Sequence, residues 1–581
     1  MRFFNVLAPI VCLMWSGATG ATTLLENANG YTLARDGKLH QFQAMALSGD
    51  GKILAIGSLA DVMSALPAGS VSKRLDLQGK TVLPGLIDAH GHVLEQGFTA
   101  TSLQLREAKT LQQAQEMIAA YSKQHPDHAW ITGFGWNQVV WQLGRFPTAK
   151  EIDSVLPQRP VMLERIDGHA SWANSRALQL AGIDKNTPDP EGGKIERDAE
   201  GNPTGVLIDK ASKLIWRLVP PASDAQMRAA LDASMQALPQ FGLTSVHDAG
   251  VDVAMDALYR EYAAKGKLSS RVYGMIRGVE QDFDTLSGRG PMTGMADEHY
   301  TLRAVKLFAD GALGSRGAAM LAPYADAPHS KGLLFLDAAS LQKQVGKAAG
   351  KGYQVNVHAI GDAANAQVLD ALEMAIKLAS KANGGKGDAQ TDAGKMAQTI
   401  QPSRVDDGPR HRIEHAQVVA LADIPRFARL GIIPSMQPVH ATSDKNMAEA
   451  RVGAARIRGA YAWRSFLQQG SRIACGSDFP IESPNPFEGI HAAVTRQDQD
   501  NAPVGGWYPE QALSVLEALR CFTLDAAYAA HQETTLGSLE KGKWADFVVV
   551  DQDLFKISIY DIHKIRVLQT WVGGKPVYQA K

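Results

Sequence analysis

Cysteine is scarce in this chain. Its 581 residues include three cysteines, Cys12, Cys475 and Cys521, and no C-x-x-C pair. A zinc ribbon or a disulfide framework needs closely spaced or numerous cysteines, so neither is expected. Cys475 and Cys521 lie in apolar surroundings, and we expect them to be buried thiols rather than a disulfide.

The chain also lacks an excess of charge of either sign. It contains 59 Lys and Arg against 60 Asp and Glu, which gives a formal net charge of −1, and it has no extended basic run. Nucleic-acid binding proteins carry a basic patch or stripe as their electrostatic footprint. The sequence therefore predicts no nucleic-acid partner.

Only one long apolar run stands apart from the globular pattern, and it lies at the N-terminus. Arg2 precedes the run 3–15, and Ala18-Thr19-Gly20 before Ala21 fits a small-x-small cleavage site. We predict a signal peptide over 1–20, against an uncleaved anchor or a buried strand as alternatives. The run is too short for a transmembrane helix. A periplasmic or secreted protein, without stable membrane insertion after cleavage, is the expectation.

Both ends of the remaining chain have a β-rich pattern. Short alternating strands occupy about 22–80, with the turn SGDGK as a hairpin signal, and strand-like segments return after 536. We predict one composite β-sandwich domain built from 21–82 and 530–581. Two unrelated β-edges are the alternative.

Between these ends, 83–529 alternates apolar strand-like runs with helical patterns. This order is typical of βα units and predicts an α/β fold, a (β/α)8 TIM barrel. A long interruption at about 95–240 predicts an inserted subdomain, and 381–408 has the composition of a surface loop. The eight candidate strands are 83–90, 159–169, 243–250, 302–311, 353–362, 410–417, 431–438 and 471–480.

The segment 81–93, TVLPGLIDAHGHV, carries the first chemical signal. Side chains alternate along a strand, so His90 and His92 should point to the same face, where two imidazoles can bind one metal ion. In a barrel of this type the active site lies at the carboxyl ends of the strands. Other polar residues that fall at or near predicted strand ends are His169, His247, Lys306, His358, His415 and Asp478.

Each of these residues has an ordinary explanation when it is taken alone. A histidine can be a satisfied core residue, Asp478 can cap a turn, and Lys306 can lie on a surface strand. Taken together at one end of a barrel, they predict a metal centre.

Longer stretches make a family resemblance specific. These are GWNQVVWQLGRFPTAKEID, RPVMLERIDGHASWANSRAL, TSVHDAG, VKLFADGALGSRGAAM, VNVHAIGDAAN and RIEHAQ. With the order H-x-H, Lys, His, His, Asp, the chain resembles the amidohydrolase superfamily of metal-dependent hydrolases. It looks closest to the family 3 group that includes N-substituted formamide deformylases.

The resemblance implies a binuclear centre with two divalent ions, expected to be Zn2+. His90 and His92 would bind the first ion with Asp478, and His358 and His415 the second. Lys306, carboxylated, would bridge them. The implied reaction is hydrolysis of a C–N bond in a small N-acyl, N-formyl or cyclic amide by a metal-bridged hydroxide, with Asp478 as the catalytic proton acceptor.

The sequence offers weaker candidates for substrate binding. Trp136 and Trp172 line the pocket mouth or else form the core of the inserted subdomain. Arg316 meets a substrate carboxylate or supports a loop, and His169 and His247 contact the substrate or support the site. Two other functions stay open, a mononuclear deaminase that leaves Lys306 uninvolved and a non-catalytic metal- or ligand-binding protein. A homo-oligomer is equally open.

Overall fold

The computed structural model describes residues 22–34, 37–138, 140–166, 170–190, 193–382 and 408–581. The predicted signal peptide, nearly all of the predicted loop 381–408 and His169 lie outside these ranges. Within them, no helix has both the length and the apolar character needed to cross a membrane.

The N-terminal segment forms short strands and one helix, α1 Leu59–Ser64. The hairpin predicted at SGDGK is confirmed, because the strands on either side of it pair antiparallel. The strands are β1 Thr22–Glu26, β2 Asn29–Leu33, β3 Leu39–Phe42, β4 Ala44–Leu47, β5 Ile53–Gly57, β6 Val71–Asp76 and β7 Thr81–Pro84.

The central part of the chain forms two sheets. The first barrel strand is β8 Leu86–Gly91, and the chain then leaves the barrel for a separate mixed sheet before it returns. The strands of the separate sheet are β9 Leu103–Gln104, β10 Ile131–Trp136, β11 Val161–Arg165, β12 Ala170–Ala173, β13 Gly193–Arg197 and β14 Pro203–Asp209. The strands after the return are β15 Leu243–Val251, β16 Arg271–Arg277, β17 Met292–Gly294, β18 Tyr300–Phe308, β19 Gln354–Ala359, β20 Arg412–His415, β21 Ile433–Met436 and β22 Ala474–Cys475.

The predicted parallel barrel is confirmed. Its strands follow the order β8, β15, β16, β18, β19, β20, β21, β22, and the neighbouring pairs are parallel. Backbone hydrogen bonds close the barrel between the end of β8 and the segment after β22, from Asp478 N to His90 O at 2.7 Å and from His92 N to Phe479 O at 2.8 Å. The closing seam therefore lies at the histidine pair.

One of the eight predicted barrel strands was wrong. The segment 159–169 contains β11, which pairs with β10 and with the antiparallel β12 in the separate sheet. The strand it displaced is β16, which was missed. Gly274 interrupts the apolar run of β16 and Arg271 and Arg277 bound it, whereas Val161, Met162 and Leu163 of β11 have the continuous apolar pattern of a barrel strand.

The C-terminal strands complete the N-terminal β-module. They are β23 Phe547–Val550, β24 Val567–Val572 and β25 Lys575–Gln579. β23 pairs antiparallel with β7, which gives the sheet order β25, β24, β23, β7, β2, β3. A second sheet, β5, β4, β1, β6, packs on it through one apolar core that contains Leu25, Met45, Val82 and Phe547. The sandwich draws on both ends of the chain, and its exact boundaries stay a prediction.

Helices surround the barrel and the separate sheet. They are α2 Val93–Thr101, α3 Leu111–Gln124, α4 Ala149–Asp153, α5 Ser175–Ala181, α6 Lys213–Trp216, α7 Asp224–Ala237, α8 Val253–Ala264, α9 Gln281–Leu286, α10 Met295–Glu298, α11 Ala338–Gly350, α12 Asp362–Ala382, α13 Ile424–Leu430, α14 Pro438–Asp444, α15 Ala448–Arg456, α16 Trp463–Gln468, α17 Pro486–Thr495, α18 Val515–Cys521 and α19 Leu524–Ala529. Short 3₁₀ helices lie at Lys210–Ser212, Leu238–Phe241, Ser287–Arg289, Ile457–Gly459, Pro509–Gln511 and Ile559–Lys564.

The prediction of two free thiols was wrong. Cys475 at the end of β22 and Cys521 at the end of α18 form a disulfide, with their Cα atoms 5.2 Å apart. Apolar surroundings suit a buried thiol and a buried disulfide equally, so composition could not separate the two. The two cysteines are 46 residues apart in the sequence, and only the folded barrel brings them close together.

Candidate metal centre

His90 and His92 share one carboxylate at the closing seam of the barrel. Nε2 of His92 lies 3.1 Å from Oδ1 of Asp478, and Nε2 of His90 lies 3.5 Å from the same oxygen. His90 is fully buried near the end of β8, and His92 is the residue that precedes α2. The two imidazoles therefore face one point, as their alternation along the strand predicts.

His415 and His358 bring two further strands to the same place. The ring centroid of His415 lies 4.9 Å from that of His90 and 4.6 Å from that of His358. The ligand atoms of His90, His415 and Asp478 all lie within 4.8 Å of one another, so these three residues could hold a metal ion. His415 and Asp478 have φ values of 73° and 60°. Non-glycine residues in this strained region cluster at functional sites.

Lys306 lies in the barrel interior with its amine against a histidine. The residue is 1% exposed, and Nζ lies 3.0 Å from Nε2 of His90. Burial lowers the pKa of Lys306 to about 8, so more of the amine is neutral near neutral pH than in an exposed lysine. A neutral buried amine can react with CO2, as a lysine carbamate requires.

The protonation states favour metal ligation. Burial lowers the pKa of His90 to about 4 and that of His358 to about 3, and it lowers the pKa of His415 well below its usual value. Burial alone would raise the pKa of Asp478, but the hydrogen bond from His92 outweighs it and holds that pKa well below its usual range. The same contact outweighs burial at His92 and raises the pKa of that imidazole. The neutral imidazoles of His90, His358 and His415 beside an ionised carboxylate are the forms that bind a metal.

Comparison with known proteins identifies the family of this chain. A sequence model described as the amidohydrolase family matches residues 73–578, most of the chain. The chain belongs to the amidohydrolase family. It is 33% identical over 518 residues to a putative amidohydrolase, YtcJ of Bacillus subtilis, covering 87% of this chain and 91% of that one. It is 30% identical over 573 residues to an N-substituted formamide deformylase of Arthrobacter pascens, covering 96% and 98%.

Solved structures agree with the fold. An uncharacterised metal-dependent hydrolase from Pyrococcus horikoshii aligns with a TM-score of 0.76 and 25% identity, over 93% of this chain and 99% of that one. One from Pyrococcus furiosus aligns with a TM-score of 0.74 over 92% and 100%. The amidohydrolase barrel and the terminal β-domain are thus common to this chain and to both structures.

The donor atoms of the amidohydrolase centre fit a metal. Nε2 of His358 and Nε2 of His440 are buried and form no hydrogen bond with any part of the chain that the structure describes. A buried nitrogen without a partner is costly unless it has a ligand. Nε2 of His358 lies 3.5 Å from Oδ1 of Asp310, and Nε2 of His440 lies 3.9 Å from Oδ2 of Asp478.

His440 was missed by the sequence analysis. It lies on α14, and its ring stacks with that of His415 at a centroid distance of 6.0 Å. The predicted strand 431–438 ended at Gln437-Pro438, two residues before it. The signal was present, because this histidine follows a barrel strand as His92 does.

Asp310 was also missed, although it follows β18 in the motif ADG. Its carboxylate accepts hydrogen bonds from the backbone amides of Ala319 at 2.8 Å, Ile360 at 2.9 Å and Gly361 at 2.8 Å. It therefore fastens the loop after β18 to the end of β19, next to His358.

The two tryptophans that were candidates for the pocket mouth or for the subdomain core lie in the core. Trp136 and Trp172 are 0% exposed and pack in the core of the separate sheet. Their indole N–H groups donate to Leu163 O at 2.9 Å and to Thr148 O at 2.8 Å. They have no free face for a substrate, and the alternative interpretation as subdomain core is the correct one.

The other substrate-binding candidates have mixed outcomes. Arg316 pairs with Asp326, NH2 to Oδ2 at 2.9 Å, in the loop after β18. This pair agrees with the alternative in which Arg316 supports a loop. His247 is fully buried on β15, and Arg412 NH1 donates to its Nδ1 at 3.0 Å, so it contacts a buried residue of β20. The prediction for His169 rests on a residue outside the described ranges.

A polar cavity opens beside the centre. Its volume is about 820 Å³, and its lining includes Gln96, Val439, Lys445, Pro480 and Glu488. Gln96 follows His92, Val439 precedes His440, and Pro480 follows Asp478, so the cavity flanks the candidate ligands. None of the six candidate ligands is itself among the lining residues.

Proposed function

We propose that this amidohydrolase is an exported, metal-dependent enzyme that hydrolyses an amide-type C–N bond in a small molecule. The observation that carries the proposal is the convergence of six side chains from or after five barrel strands. They are His90, His92, Lys306, His358, His415 and Asp478. The relative named as an N-substituted formamide deformylase supports the bond type, and the structures named as metal-dependent hydrolases support the cofactor.

Two divalent ions fit the donor set. His90, His92 and Asp478 would hold one, His358 and His415 the other, and Lys306 as a carbamate would bridge them. Imidazole and carboxylate donors suit zinc. When bound, the ions supply Lewis-acid activation of the attacking water and of the substrate carbonyl.

Asp478 is the group that moves the proton. Its carboxylate is buried and ionised, with Oδ1 at 3.1 Å from Nε2 of His92, and an ionised carboxylate has lone pairs that can accept a proton from water. It then returns that proton to the nitrogen that leaves as an amine, which completes the hydrolysis without a net change on the enzyme. The barrel strands fix its position, because the backbone next to it forms the closing seam.

The disulfide supports the exported location. Disulfides persist in oxidising compartments such as the periplasm and are rare in the cytosol. Together with the predicted signal over 1–20, the Cys475–Cys521 bond favours a periplasmic or secreted enzyme. Cell fractionation and N-terminal sequencing test this directly. A full-length chain found in the cytosol would contradict it.

A substrate panel tests the reaction. Metal-loaded protein is assayed with N-formyl amines, N-acyl amines, lactams, esters and aminated heterocycles, with chelator-treated protein alongside. We expect metal-dependent release of an amine and a carboxylic acid from at least one amide class. An Asp478→Asn variant should lose about 10²–10⁴-fold in kcat, the typical contribution of general acid–base catalysis. Turnover of amides that survives complete metal removal would contradict the proposal.

A mononuclear deaminase is the second candidate. The observation that favours it is the compact group His90, His415 and Asp478, whose ligand atoms lie within 4.8 Å of one another and could surround a single ion. Release of ammonia from the aminated heterocycles, with one metal per chain, would support it. No metal-dependent turnover anywhere in the panel would favour a non-catalytic binding protein.

A further inference from the structure

A fully buried ion pair lies directly beside His90. Arg412 and Glu414, both on β20, are 0% exposed, and Nε of Arg412 lies 2.8 Å from Oε1 of Glu414. The other carboxylate oxygen, Oε2, lies 2.5 Å from Nδ1 of His90. One carboxylate thus connects a buried guanidinium to a candidate metal ligand.

Arg412 is held from several strands at once. Its guanidinium donates to Nδ1 of His247 on β15 at 3.0 Å, to Oγ of Ser435 on β21 at 2.9 Å and to the backbone oxygen of Ala89 on β8. It also donates to Oε2 of Glu414 at 3.2 Å. The fork geometry of a guanidinium leaves it little freedom when its donors are used in this way. Glu414 is therefore fixed by the barrel itself.

The contact determines the tautomer of His90. An ionised carboxylate can only accept, so Nδ1 of His90 must carry the proton and Nε2 must present its lone pair. That Nε2 atom faces Lys306 at 3.0 Å and Asp478 at 3.5 Å, toward the candidate centre. A carboxylate that orients a ligating histidine in this way typically contributes 10–100-fold to metal affinity.

Stability alone is a weak explanation of this pair. Burying two charges costs about as much as their attraction returns, and apolar replacements of buried pairs are often neutral. A pair retained for stability would have no need to contact His90.

We infer that Arg412 and Glu414 are positioning residues that hold His90 in the tautomer and orientation that metal binding requires. His247 belongs to the same support, as the acceptor that fixes Arg412. The inference rests on the proposed function, because it concerns the metal that the enzyme would use.

The test is metal affinity, measured by competition with a chromophoric chelator. Glu414→Gln keeps the shape of the side chain, removes its charge and leaves Arg412 without a counter-charge. Glu414→Asp keeps the charge beside Arg412 but draws the carboxylate away from His90 by one methylene. We expect both variants to lose about 10–100-fold in metal affinity, and the visible spectrum of the Co2+-loaded protein to change.

Asp546→Asn is the matched control. Asp546 forms another buried pair, with Arg271, Nε to Oδ2 at 2.7 Å, where β16 begins at the opposite end of the barrel. Its loss should lower the melting temperature and leave metal affinity and the Co2+ spectrum unchanged.

The possible results distinguish a failure of this inference from a failure of the proposed function. Wild-type protein that binds metal, together with a folded Glu414→Asp variant that binds it equally tightly, would overturn the inference alone. Wild-type protein that binds no divalent ion would overturn the proposed function and this inference with it. Should Glu414→Gln fail to fold, Glu414→Asp decides the question, since it keeps the ion pair.

Discussion

At the scale of single residues, burial gives the candidate centre its chemistry. His90 and Lys306 are both buried, and desolvation lowers the pKa of each, to about 4 and about 8. Both side chains are thereby moved toward their neutral forms, in which nitrogen has a lone pair to offer. The residue types can be read from the sequence, but their protonation follows from packing that only the fold supplies.

Lys306→Ala should abolish activity. The variant removes the nitrogen that would carry the carbamate, and CO2 with a short carboxylic acid should partly restore turnover by supplying a replacement bridge. The measurement is kcat with and without these additives.

Lys543→Ala is the control for Lys306→Ala. Lys543 is also a buried lysine, 3% exposed and paired with Glu540 at 2.9 Å, but it lies in the β-sandwich. Its loss should lower stability and leave kcat within about twofold of wild type. Equal loss of activity in both variants would contradict a specific role for Lys306.

Phe308 is an apolar side chain that the sequence analysis did not single out at the centre. Its ring lies 5.6 Å from that of His358 and 5.0 Å from Nζ of Lys306, and the residue is 41% exposed. Because it follows Lys306 by two positions on β18, it faces the same side. Phe308→Ala should raise KM for amides with a bulky apolar group about tenfold or more, equivalent to ~1.5 kcal/mol of buried surface, and leave KM for small amides unchanged. Equal KM changes for all substrates would argue against this contact.

The residues that the sequence identified share one property, a place at the end of an apolar strand. His90, His358 and Asp478 could be found in this way because strand direction places them at one rim. Glu414 could not, since its role depends on which side chains neighbouring strands bring within reach. For Trp136 and Trp172 the sequence left the pocket mouth and the subdomain core open, because aromatic composition does not distinguish the two.

At the scale of elements, β11 was predicted as a barrel strand in place of β16, because the local sequence pattern does not show which sheet a strand joins. Both strands are short and bounded by polar residues, and hydrophobicity says nothing of which sheet each one joins. The later strands were correctly predicted because each is followed by a helix and then by another apolar run. β11 is followed instead by the antiparallel β12, only a few residues on.

Asp310→Ala tests how the loop after β18 is held against the end of β19 beside the centre. The variant leaves three backbone amides of the loop after β18 and of the end of β19 without their acceptor. We expect the free energy of unfolding to fall by about 3 kcal/mol, because buried unsatisfied amides are costly. Denaturant titration measures this. A change below about 0.5 kcal/mol would mean that the amides find other partners.

At the scale of the whole molecule, the chain passes from the β-sandwich into the barrel without a linker. β7 belongs to the sandwich and β8 to the barrel, and only Gly85 separates them. A Cβ atom at Gly85 would lie 2.2 Å from Oγ1 of Thr244, so glycine is needed there. The sandwich was predicted from β patterns at the two termini, whereas the pairing of β7 with β23 needed the fold.

The disulfide should contribute to global stability. It closes a loop of 46 residues between β22 and α18, and loop closure of that length corresponds to about 4 kcal/mol. Cys521→Ser, or reduction of the wild-type bond, should lower the melting temperature by several degrees. Two free thiols found by mass spectrometry in protein purified under oxidising conditions would contradict the bond.

Metal content tests the central claim most directly. Protein purified without chelators is analysed for divalent metals by mass spectrometry, beside a His358→Ala variant that removes a ligand of the second ion and leaves His90, His92 and Asp478 in place. The account predicts close to two ions per chain in the wild type and close to one in the variant. Fewer than one ion per chain in well-folded, metal-supplemented wild-type protein would contradict it.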